Sequence, residues 1–451
     1  MKFTIENVGP IKRAEMEFGD LTILCGKNNT GKTYITYNTF NYLDAIKYFL
    51  NIPIETKYAE MLLSNGKLDF PLKNFFDNAN EYIQRSLQPW IEKETHKQMA
   101  SHEDFYKKIK IDFSLEQERL DTVLLGSNFS WPQIQMTKDC FIKVEKKKDK
   151  SNLSILLQNN AESLPDEDVV IDQLQRIVKG MIQFIIPDLF IITCERTGAA
   201  AFRTTFVASR EISAKQDADS RLIDEVYQKM DFRGYPRPMN KDLEFVVRFD
   251  EIIQNKSYIS SEHPEIIDYF SEIVGGEYII QEPNIVKFVP KNTNVGLTTI
   301  ESSSSVRSLM ELNFYLKHKA KRFQCLVIDE PELNLHPENQ RKMARLLAML
   351  VNAGIYVAIT THSDYIIKEF NTLLMLNYDD PRMPEMRKKY GYSEKELLKA
   401  DSLRVYCAEN GTVAPVEVSQ DVGIAISSFD DNIRQMGKMQ RDILFGGTKN
   451  A

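Results

Sequence analysis

Hydrophobic and polar positions alternate over residues 1–25, where apolar side chains such as Phe3 and Ile5 are separated by polar ones. This period of two predicts antiparallel strands that lead into a buried apolar strand at 21–25. Over 34–50 the apolar positions instead recur with helical spacing, which predicts a helix. Its aromatic side chains pack against the sheet in the favoured interpretation, and they form a platform for a nucleotide base in the alternative.

The long segment over residues 51–185 has a mainly helical period. It predicts helices over 72–99, interrupted at Pro89, and over 105–125. No sustained heptad repeat runs through the segment, which argues against a long coiled coil. We therefore interpret it as a mostly helical insertion.

Two short apolar runs within the insertion, at 141–144 and 153–157, predict a β-hairpin. They flank the lysine-rich run 145–150. A solvated loop tip is the favoured interpretation of this run, and a patch for nucleic acid or a partner is the alternative.

Downstream of the insertion, the pattern predicts a mixture of strands and helices. In chain order these are a strand within 186–197, helices over 206–232, 240–254 and 263–274, paired strands at 275–281 and 285–289, a helix over 306–319, strands at 325–329 and 355–359, a hairpin over 402–418 and a helix over 427–444. The first of these strands ends in Glu195-Arg196, and ligands bind at such strand ends in α/β sheets. Two interpretations of Arg196 carry equal weight: contact with nucleotide or a partner subunit, and a structural ion pair.

Composition is that of an ordinary globular protein, with 43% hydrophobic and 27% charged residues among 451. The formal net charge of -7 supplies no global positive field, so any DNA binding would need a local basic patch. Five scattered cysteines without a CxxC pair predict no disulfide or zinc framework. We expect no signal peptide and, since the most apolar stretch at 181–194 is too short to span a bilayer, a cytoplasmic location.

A match to the nucleotide-binding P-loop pattern lies between the predicted strand at 21–25 and the helix that follows it. Its residues are Gly26, Lys27, Asn28, Asn29, Thr30, Gly31, Lys32 and Thr33. The two glycines allow the backbone to wrap closely around phosphate oxygens, and the N-terminus of the helix faces the anion. Lys32 is predicted to reach the β- and γ-phosphates of ATP, and the Thr33 hydroxyl to bind Mg²⁺.

The predicted strand at 325–329 is followed by a pair of acids, Asp329 and Glu330. Asp329 is placed to hold the Mg²⁺ shell at the carboxyl end of its strand, where nucleotides bind. Glu330 is placed to act as the base that polarises the attacking water. A strand that ends in acids is common, but its combination with a P-loop predicts a single ATP site.

The opening residues 5–33, with Asn28 two positions after the first P-loop glycine, resemble the start of the ABC-type ATPases of the SMC, RecF and OLD group. Three further segments resemble motifs of that group. They are 330–336 (Walker B and D-loop), 359–364 (switch histidine) and 302–311 (signature motif). In the last of these, Ser305 stands where the group usually keeps a glycine.

The resemblance implies ATP and Mg²⁺ as cofactors and assigns roles to further residues. His362 would be the switch histidine, catalytic together with Lys32 and Glu330. Ser303 and Ser304 would contact the γ-phosphate of ATP bound by another subunit. Heads of this group sandwich ATP between two copies, so a homo-oligomer with composite ATP sites is implied.

The implied fold class is α/β: an ABC-ATPase head, which is a P-loop NTPase, with an antiparallel β lobe and a mostly helical insertion. Residues 1–50 would form the N-terminal part of the head with the P-loop, and 51–185 the insertion. Residues 186–380 would complete the head with the signature, Walker B and the switch histidine. Residues 381–451 would form a hairpin and a final helix.

The chain resembles standalone ATPases of the PARIS and Septu type, which are paired with a separate nuclease-like effector. The leading hypothesis is therefore an ATP-hydrolysing sensor or regulator in a prokaryotic anti-phage defence system. About 80 residues follow position 370, too few for the Toprim nuclease of OLD proteins, so we expect the effector to be a separate protein. One alternative is a RecF- or SMC-like DNA-repair ATPase that binds DNA, and another is a scaffold that binds ATP and barely turns it over.

Overall fold

A computed structural model describes most of the chain. The described residues are 1–126, 128–159, 164–183, 185–203, 234–281, 285–425 and 436–443. The helix predicted over 206–232 lies outside them. Of the helix predicted at the C-terminus, only 436–443 is described, and it is helical.

The chain divides into two compact units. The first comprises Met1–Glu17 and Tyr37–Leu189, and the second comprises Phe18–Thr36 and Phe190–Ala451. This division differs from the four predicted segments, because the opening residues group with the insertion whereas the P-loop groups with the C-terminal part of the chain.

Short strands and helices follow one another through the first 192 residues. They are β1 (Lys2–Val8), β2 (Ile11–Glu17), β3 (Leu21–Cys25), α1 (Lys32–Phe49), α2 (Thr56–Asn65), β4 (Lys67–Pro71), α3 (Leu72–Asp77), α4 (Ala79–Gln98), β5 (Lys110–Ser114), α5 (Gln117–Gly126), β6 (Phe129–Gln135), β7 (Cys140–Lys146), β8 (Asn152–Asn159), α6 (Glu167–Gln183) and β9 (Leu189–Ile192). A helical segment at 196–203 comes next.

Longer helices separate the strands in the rest of the chain. The elements are α7 (Arg237–Val247), α8 (Phe249–Ile252), α9 (Tyr258–Glu262), α10 (Pro264–Val274), β10 (Gly276–Gln281), β11 (Ile285–Pro290), β12 (Leu297–Thr298), α11 (Ser304–His318), β13 (Cys325–Asp329), α12 (Pro337–Asn352), β14 (Tyr356–Thr361), α13 (Asp364–Met375), α14 (Met383–Tyr390), β15 (Leu403–Glu409), β16 (Thr412–Val416), β17 (Val418–Ser419) and β18 (Gly423–Ile424). Among the helices of the described residues, none is both long and apolar enough to cross a membrane.

The first unit contains antiparallel strands in the orders β5-β1-β2 and β4-β8-β7-β6. The predicted hairpin is confirmed as β7 and β8, whose register pairs Cys140 with Asn159. The insertion therefore carries strands β4 to β8 as well as the predicted helices. Part of its lysine run is not a solvated loop tip, since Lys146 is buried and its ammonium donates to the Lys147 carbonyl at 2.9 Å.

The segment 110–114 is a strand, so the helix predicted over 105–125 is wrong there. Ile111 and Phe113 are each 3% exposed, whereas Lys110 and Asp112, which alternate with them, are exposed. This alternation suits a strand that pairs with β1 and buries one face. Five residues are too few for the sequence to separate a period of two from a helical period.

Helix α4 continues through Pro89, so the predicted interruption at that residue is wrong. The break falls at Asn78, between α3 and α4. Proline has no N–H, so the carbonyl four residues before it has no donor within the helix. Because Pro89 is exposed, that carbonyl can bond to water instead. Ile83, Leu87 and Trp90 bury the opposite face of the helix on both sides of the proline.

The second unit contains strands in the order β16-β15-β3-β14-β13-β9. Strands β15, β3, β14 and β13 run parallel to one another, and β16 is antiparallel to β15. The register places Asp329 beside Thr360, and Thr361 beside Cys25. The carboxyl ends of β3, β13 and β14 therefore meet at one edge, which is where ligands bind in open α/β sheets.

Helices α11, α12 and α13 share one hydrophobic core with these strands. Leu309, Leu347 and Phe370 lie in it together with Ile23 and Ile359. Burying a side chain of this size contributes about 1.5–3 kcal/mol. The core fixes the strand ends that carry the candidate site.

Both hairpins predicted in this unit are confirmed. Strands β10 and β11 are antiparallel neighbours. Strands β15 and β16 close at Asn410-Gly411, with φ of 53° and 77°. Two successive positive φ angles are what a type I′ turn requires, which is why Asn-Gly predicts it.

Candidate functional site

The P-loop lies at the carboxyl end of β3 and requires glycine at position 26. Gly26 has a φ of 144°, and a Cβ added there would lie 2.6 Å from the Ala408 carbonyl oxygen. Any side chain would therefore push β15 away from the loop. Asn29 and Gly31 also have positive φ, of 63° and 91°. Asn28, like Asn29, is exposed.

Lys32 begins α1 and folds back over the loop. Its Nζ donates to the carbonyl oxygens of Gly26 (2.9 Å) and Lys27 (2.8 Å), and its side chain is buried. Thr30 braces the same turn through a bond from its hydroxyl to the Lys27 carbonyl (2.8 Å). A phosphate in the loop can take over the ammonium, because a bond between two charged groups is stronger than one to a neutral carbonyl.

The two predicted metal ligands lie in contact, although they are 296 positions apart in the sequence. Thr33 Oγ1 donates to Asp329 Oδ2 at 3.2 Å. The other carboxylate oxygen of Asp329 accepts from the Thr360 hydroxyl. A hydroxyl and a carboxylate are the hard oxygen donors that Mg²⁺ prefers, so these residues fit the ion that the sequence implies.

Glu330 follows directly and occupies the left-handed backbone region, with a φ of 53°. Its N–H donates to the carbonyl (3.2 Å) and hydroxyl (3.1 Å) oxygens of Thr360. Its carbonyl accepts from Arg196 Nη2 at 2.6 Å. Strained residues of this kind persist only where the surroundings hold them, and they cluster at functional sites. The carboxylate itself remains 26% exposed.

The guanidinium of Arg196 donates to four backbone carbonyls. They belong to Thr193 (2.8 Å), Ser308 (3.0 Å), Asp329 (2.7 Å) and Glu330 (2.6 Å). Arg196 is only 2% exposed, which puts the guanidinium out of reach of a bound nucleotide or a second subunit. The structural interpretation is the one that fits, in an extended form: Arg196 ties α11 and the acidic end of β13 together through main-chain oxygens, and its charge acts on the buried acids Asp242 and Glu311.

Two fully buried carboxyl groups lie close to Arg196. Asp242 accepts from the backbone N–H of Thr193 at 3.0 Å and from the Thr193 hydroxyl, and its charge acts on the nearby Glu311. Burial raises the pKa of Asp242 to about 7 and raises the pKa of Glu311 well above its ordinary value. Burial therefore favours the protonated, uncharged form of Glu311.

His362 follows β14 and lies between two acids. Its Nδ1 is 3.3 Å from Oε1 of Glu330 and 3.3 Å from Oε1 of Glu332. The Glu332 carboxylate accepts from the Thr361 hydroxyl and from the His362 backbone N–H, both at 2.8 Å. Burial raises the pKa of Glu332, and these two donors oppose that rise. Glu332 thus orients the histidine toward the acidic end of β13.

A cavity of about 500 Å³ joins the P-loop to the histidine segment. Its lining includes Gly26, Asn28, Glu332, His362 and Tyr365. This volume is in the usual range for small-molecule sites. His362 therefore faces the same space as the P-loop.

The predicted signature serines lie at the N-terminus of α11. Ser303 caps the helix, since its Oγ accepts from the Val306 N–H at 3.3 Å and lies 2.8 Å from Ser305 Oγ. Ser303 and Ser304 are both exposed. Within the described residues, neither serine lines the cavity at the P-loop. An exposed helix N-terminus of this kind can meet an anion that comes from outside the subunit.

The P-loop, the acidic end of β13 and the histidine segment surround one edge of the sheet, and they define a P-loop ATPase head of the ABC type. The predicted α/β fold class is thereby confirmed. A family model described as the AAA ATPase domain matches residues 1–367, and the chain belongs to that family. No curated protein matches the chain.

Solved structures similar to the chain include three SMC heads. The SMC head bound to the C-winged helix domain of ScpA is 13% identical, covers 93% of this chain and 97% of that one, and has a TM-score of 0.35. The SMC head with an extended coiled coil, bound to the C-terminal domain of ScpA and derived from Pyrococcus furiosus, is 11% identical, covers 97% and 98%, and has a TM-score of 0.32. The SMC head from Thermotoga maritima is 12% identical, covers 93% and 98%, and has a TM-score of 0.28.

Sequence reasoning assigned no role to Glu332 or Thr360. Glu332 lies inside the acidic motif at 330–336, but its spacing from Glu330 does not tell which acid holds the histidine segment. Thr360 is a common strand residue, and only its pairing with Asp329 marks it as a site residue.

Proposed function

We propose that this chain binds ATP with Mg²⁺, hydrolyses it, and acts as a sensor or regulator of a separate effector in prokaryotic anti-phage defence. The observation that carries the ATPase part is the 3.2 Å contact between Thr33 and Asp329. It joins the P-loop and the acidic strand end into one set of oxygen donors for a nucleotide-bound cation.

Each residue of the site has a defined part in this proposal. Lys32 and the loop N–H groups bind the phosphates, and Thr33 with Asp329 holds Mg²⁺, which when bound neutralises phosphate charge. Glu330 accepts a proton from the attacking water. His362, held by Glu332, contacts the γ-phosphate region and orients that water.

A homo-oligomer completes the proposed site. Ser303 and Ser304 are exposed at a helix N-terminus, where their hydroxyls and the helix N–H groups can meet ATP held by a second subunit. ATP then acts as the contact between heads, and its hydrolysis releases them.

The substitution Lys32→Ala tests nucleotide binding. It removes the cation expected on the β- and γ-phosphates, so isothermal titration calorimetry should show ATP binding abolished. Lys388→Ala, on the exposed face of α14, is the matched control and should bind ATP like the wild type. Equal affinity of all three proteins for ATP would overturn the P-loop assignment.

The defence role is supported by the resemblance to standalone ATPase heads. The longest helix among the described residues is α4, at 20 residues, and the insertion contains strands rather than the coiled-coil arms of SMC proteins. Cells that carry this gene and its genomic neighbour should restrict phage plating, and Lys32→Ala should abolish that restriction. Full restriction by the variant would contradict a role for ATP.

A RecF- or SMC-like DNA-repair ATPase is the second candidate. It is favoured by a local basic segment, since four cations lie within residues 317–322 despite the net charge of -7. DNA binding that strengthens with ATP and weakens steeply with salt, together with loss of survival after DNA damage in a deletion strain, would favour this candidate over the defence role.

A further inference from the structure

A second cavity, of about 320 Å³, lies at the C-terminal end of α11, the end away from the signature serines. The cationic side chains of Lys256, Lys319, Lys321 and Arg322 contribute to its lining. No acidic residue lines it within the described part of the chain. The cavity is therefore a concentrated positive site on a chain of negative net charge.

The backbone around this cavity is held by hydrogen bonds between two segments. The Ser257 N–H donates to the Lys317 carbonyl at 3.0 Å, and the Tyr258 N–H donates to the Ala320 carbonyl at 2.9 Å. Carbonyl oxygens without hydrogen-bond partners at the C-terminal end of a helix repel an anion. These two bonds give partners to two carbonyl oxygens at the C-terminal end of α11. The backbone that carries the cationic side chains is therefore held in place by hydrogen bonds.

The ring of His318 adds a neutral acceptor at the cavity. Its Nδ1 is 2.8 Å from the Asn255 carbonyl, so Nδ1 carries the proton and Nε2 is left as an acceptor in the neutral ring. Burial lowers the pKa of His318, which favours that neutral form. A base N–H or a sugar hydroxyl is the kind of group that such a nitrogen accepts.

An exposed aromatic ring lies directly beside the cations. Phe323 is 57% exposed and has a φ of 63°, a left-handed conformation that is costly for a bulky residue. Its N–H donates to the Gly354 carbonyl at 2.8 Å, which holds the conformation. The Arg322 guanidinium carbon lies 4.7 Å from the centre of the ring.

Two acids on neighbouring elements pair with cations that do not line the cavity. Glu251 pairs with Arg248 at 2.8 Å, and Glu265 pairs with Lys395 at 2.7 Å. Glu277 acts electrostatically on Lys317, the helix residue next to the lining.

We propose that this cavity is a second phosphate-binding site, separate from the P-loop, that takes a nucleotide unit. Its phosphate would contact the lysines and Arg322, and its base would stack on Phe323. Lys and Arg are the usual contacts of nucleotide phosphates, and aromatic side chains are the usual stacking partners of unpaired bases. The unit can belong to a free nucleotide or to a nucleic-acid strand. The proposal does not depend on ATP hydrolysis.

Binding of a fluorescein-labelled oligothymidylate of twelve nucleotides, followed by fluorescence anisotropy, tests the proposal. All proteins carry Lys32→Ala, so the P-loop does not contribute. Charge reversal by Lys321→Glu with Arg322→Glu should weaken binding on the order of tenfold or more. It should also reduce the salt slope by about 1.4, since each single-strand phosphate contact contributes about 0.7. Phe323→Ala should weaken binding on the order of tenfold with an unchanged salt slope.

The matched control is Lys388→Glu with Lys389→Glu on α14. This pair is also adjacent and exposed, and Lys389 lies 5.0 Å from the ring centre of Tyr390, but it lines neither of the two cavities described here. The control should bind within about twofold of the parent protein, because equal charge is lost away from the site.

Competitors identify the source of the nucleotide unit. Displacement by thymidine monophosphate assigns the site to a free nucleotide, and displacement only by unlabelled oligonucleotide assigns it to a strand. The proposal fails if the parent protein does not bind the probe, or if test and control variants lose affinity equally. It also fails if polyglutamate displaces the probe as well as the oligonucleotide does, which would indicate an acidic protein partner.

Discussion

The hydrogen bonds of Arg196 all go to main-chain oxygens. A guanidinium presents five N–H donors in one plane, and here they join Thr193, Ser308 and the turn at Asp329-Glu330. A lysine would keep the charge but cannot hold four carbonyls at once. We infer that Arg196 is a positioning residue for Glu330.

Arg196→Lys should therefore lower the kcat for ATP hydrolysis on the order of tenfold to a hundredfold, because a small misplacement of a catalytic group is costly. The KM for ATP should change little, since the P-loop is untouched. Arg203→Lys is the matched control, as Arg203 is also buried and its Nε donates to the Val246 carbonyl at 2.8 Å. If both variants lose kcat equally, Arg196 contributes only to stability.

Glu330→Gln should retain ATP binding and lower hydrolysis on the order of a hundredfold or more, because the amide is nearly isosteric but cannot accept the proton of water. Steady-state phosphate release measures the loss, and calorimetry measures the retained affinity. Glu338→Gln, at an exposed position on α12 that pairs with Lys342, is the control. Wild-type turnover of Glu330→Gln would place the base at another residue.

At the scale of elements, a buried pair of acids lies where three segments of the second unit pack together. Thr193 follows β9 and Asp242 lies on α7, so their hydrogen bonds connect these two elements inside the core, and Glu311 on α11 lies close to Asp242. Buried carboxyl groups cost free energy when ionised. The connection therefore depends on pH.

The folded pKa of Asp242 is raised to about 7, above its ordinary value, by burial. Between about pH 4 and 7 the folded state keeps a proton that the unfolded state has released, so stability should fall as pH rises, by at most about 1.4 kcal/mol per pH unit. Asp242→Asn should remove this contribution and make the dependence shallower, while Glu311, whose pKa is also raised, keeps its own contribution. Thermal unfolding from pH 5 to 7.5 measures it, with the exposed Asp401→Asn as control. Parallel curves for wild type and Asp242→Asn would exclude this group as the source.

At the scale of the whole molecule, the proposed ATP site belongs to two copies of the chain. The P-loop and acidic strand end lie in the second unit of one copy, and the exposed Ser303 of α11 would come from another. Such composite sites make ATP the ligand that controls assembly.

Mixing Ser303→Arg protein with Lys32→Ala protein should restore part of the ATPase activity that each lacks alone. A mixed pair holds one intact P-loop opposite one intact serine run, whereas each pure variant has a defect in every site. Phosphate release from the mixture measures the recovery, and size-exclusion chromatography with light scattering verifies that pairs form. Pairs without recovered activity would show that Ser303 acts within its own subunit or not at all.

Sequence by itself determined the features that depend on neighbouring residues. Three features each depend on a few consecutive residues: the P-loop, the acidic end of β13 and the Asn410-Gly411 turn. Binding a phosphate in a loop and forming a tight turn both require particular residue types at fixed spacing. The contact of Thr33 with Asp329 was also predictable, since the carboxyl ends of neighbouring parallel strands share an edge.

Only the tertiary structure decided which distant groups meet. Arg196 looked equally suited to a nucleotide, a subunit or an acid, and its four carbonyl partners come from Thr193, Ser308 and the end of β13. The contact of Glu332 with His362 and the continuation of helix α4 through Pro89 are likewise visible only in the folded chain. Burial and long-range packing select among the states that local sequence permits, and these depend on residues that are far apart along the chain.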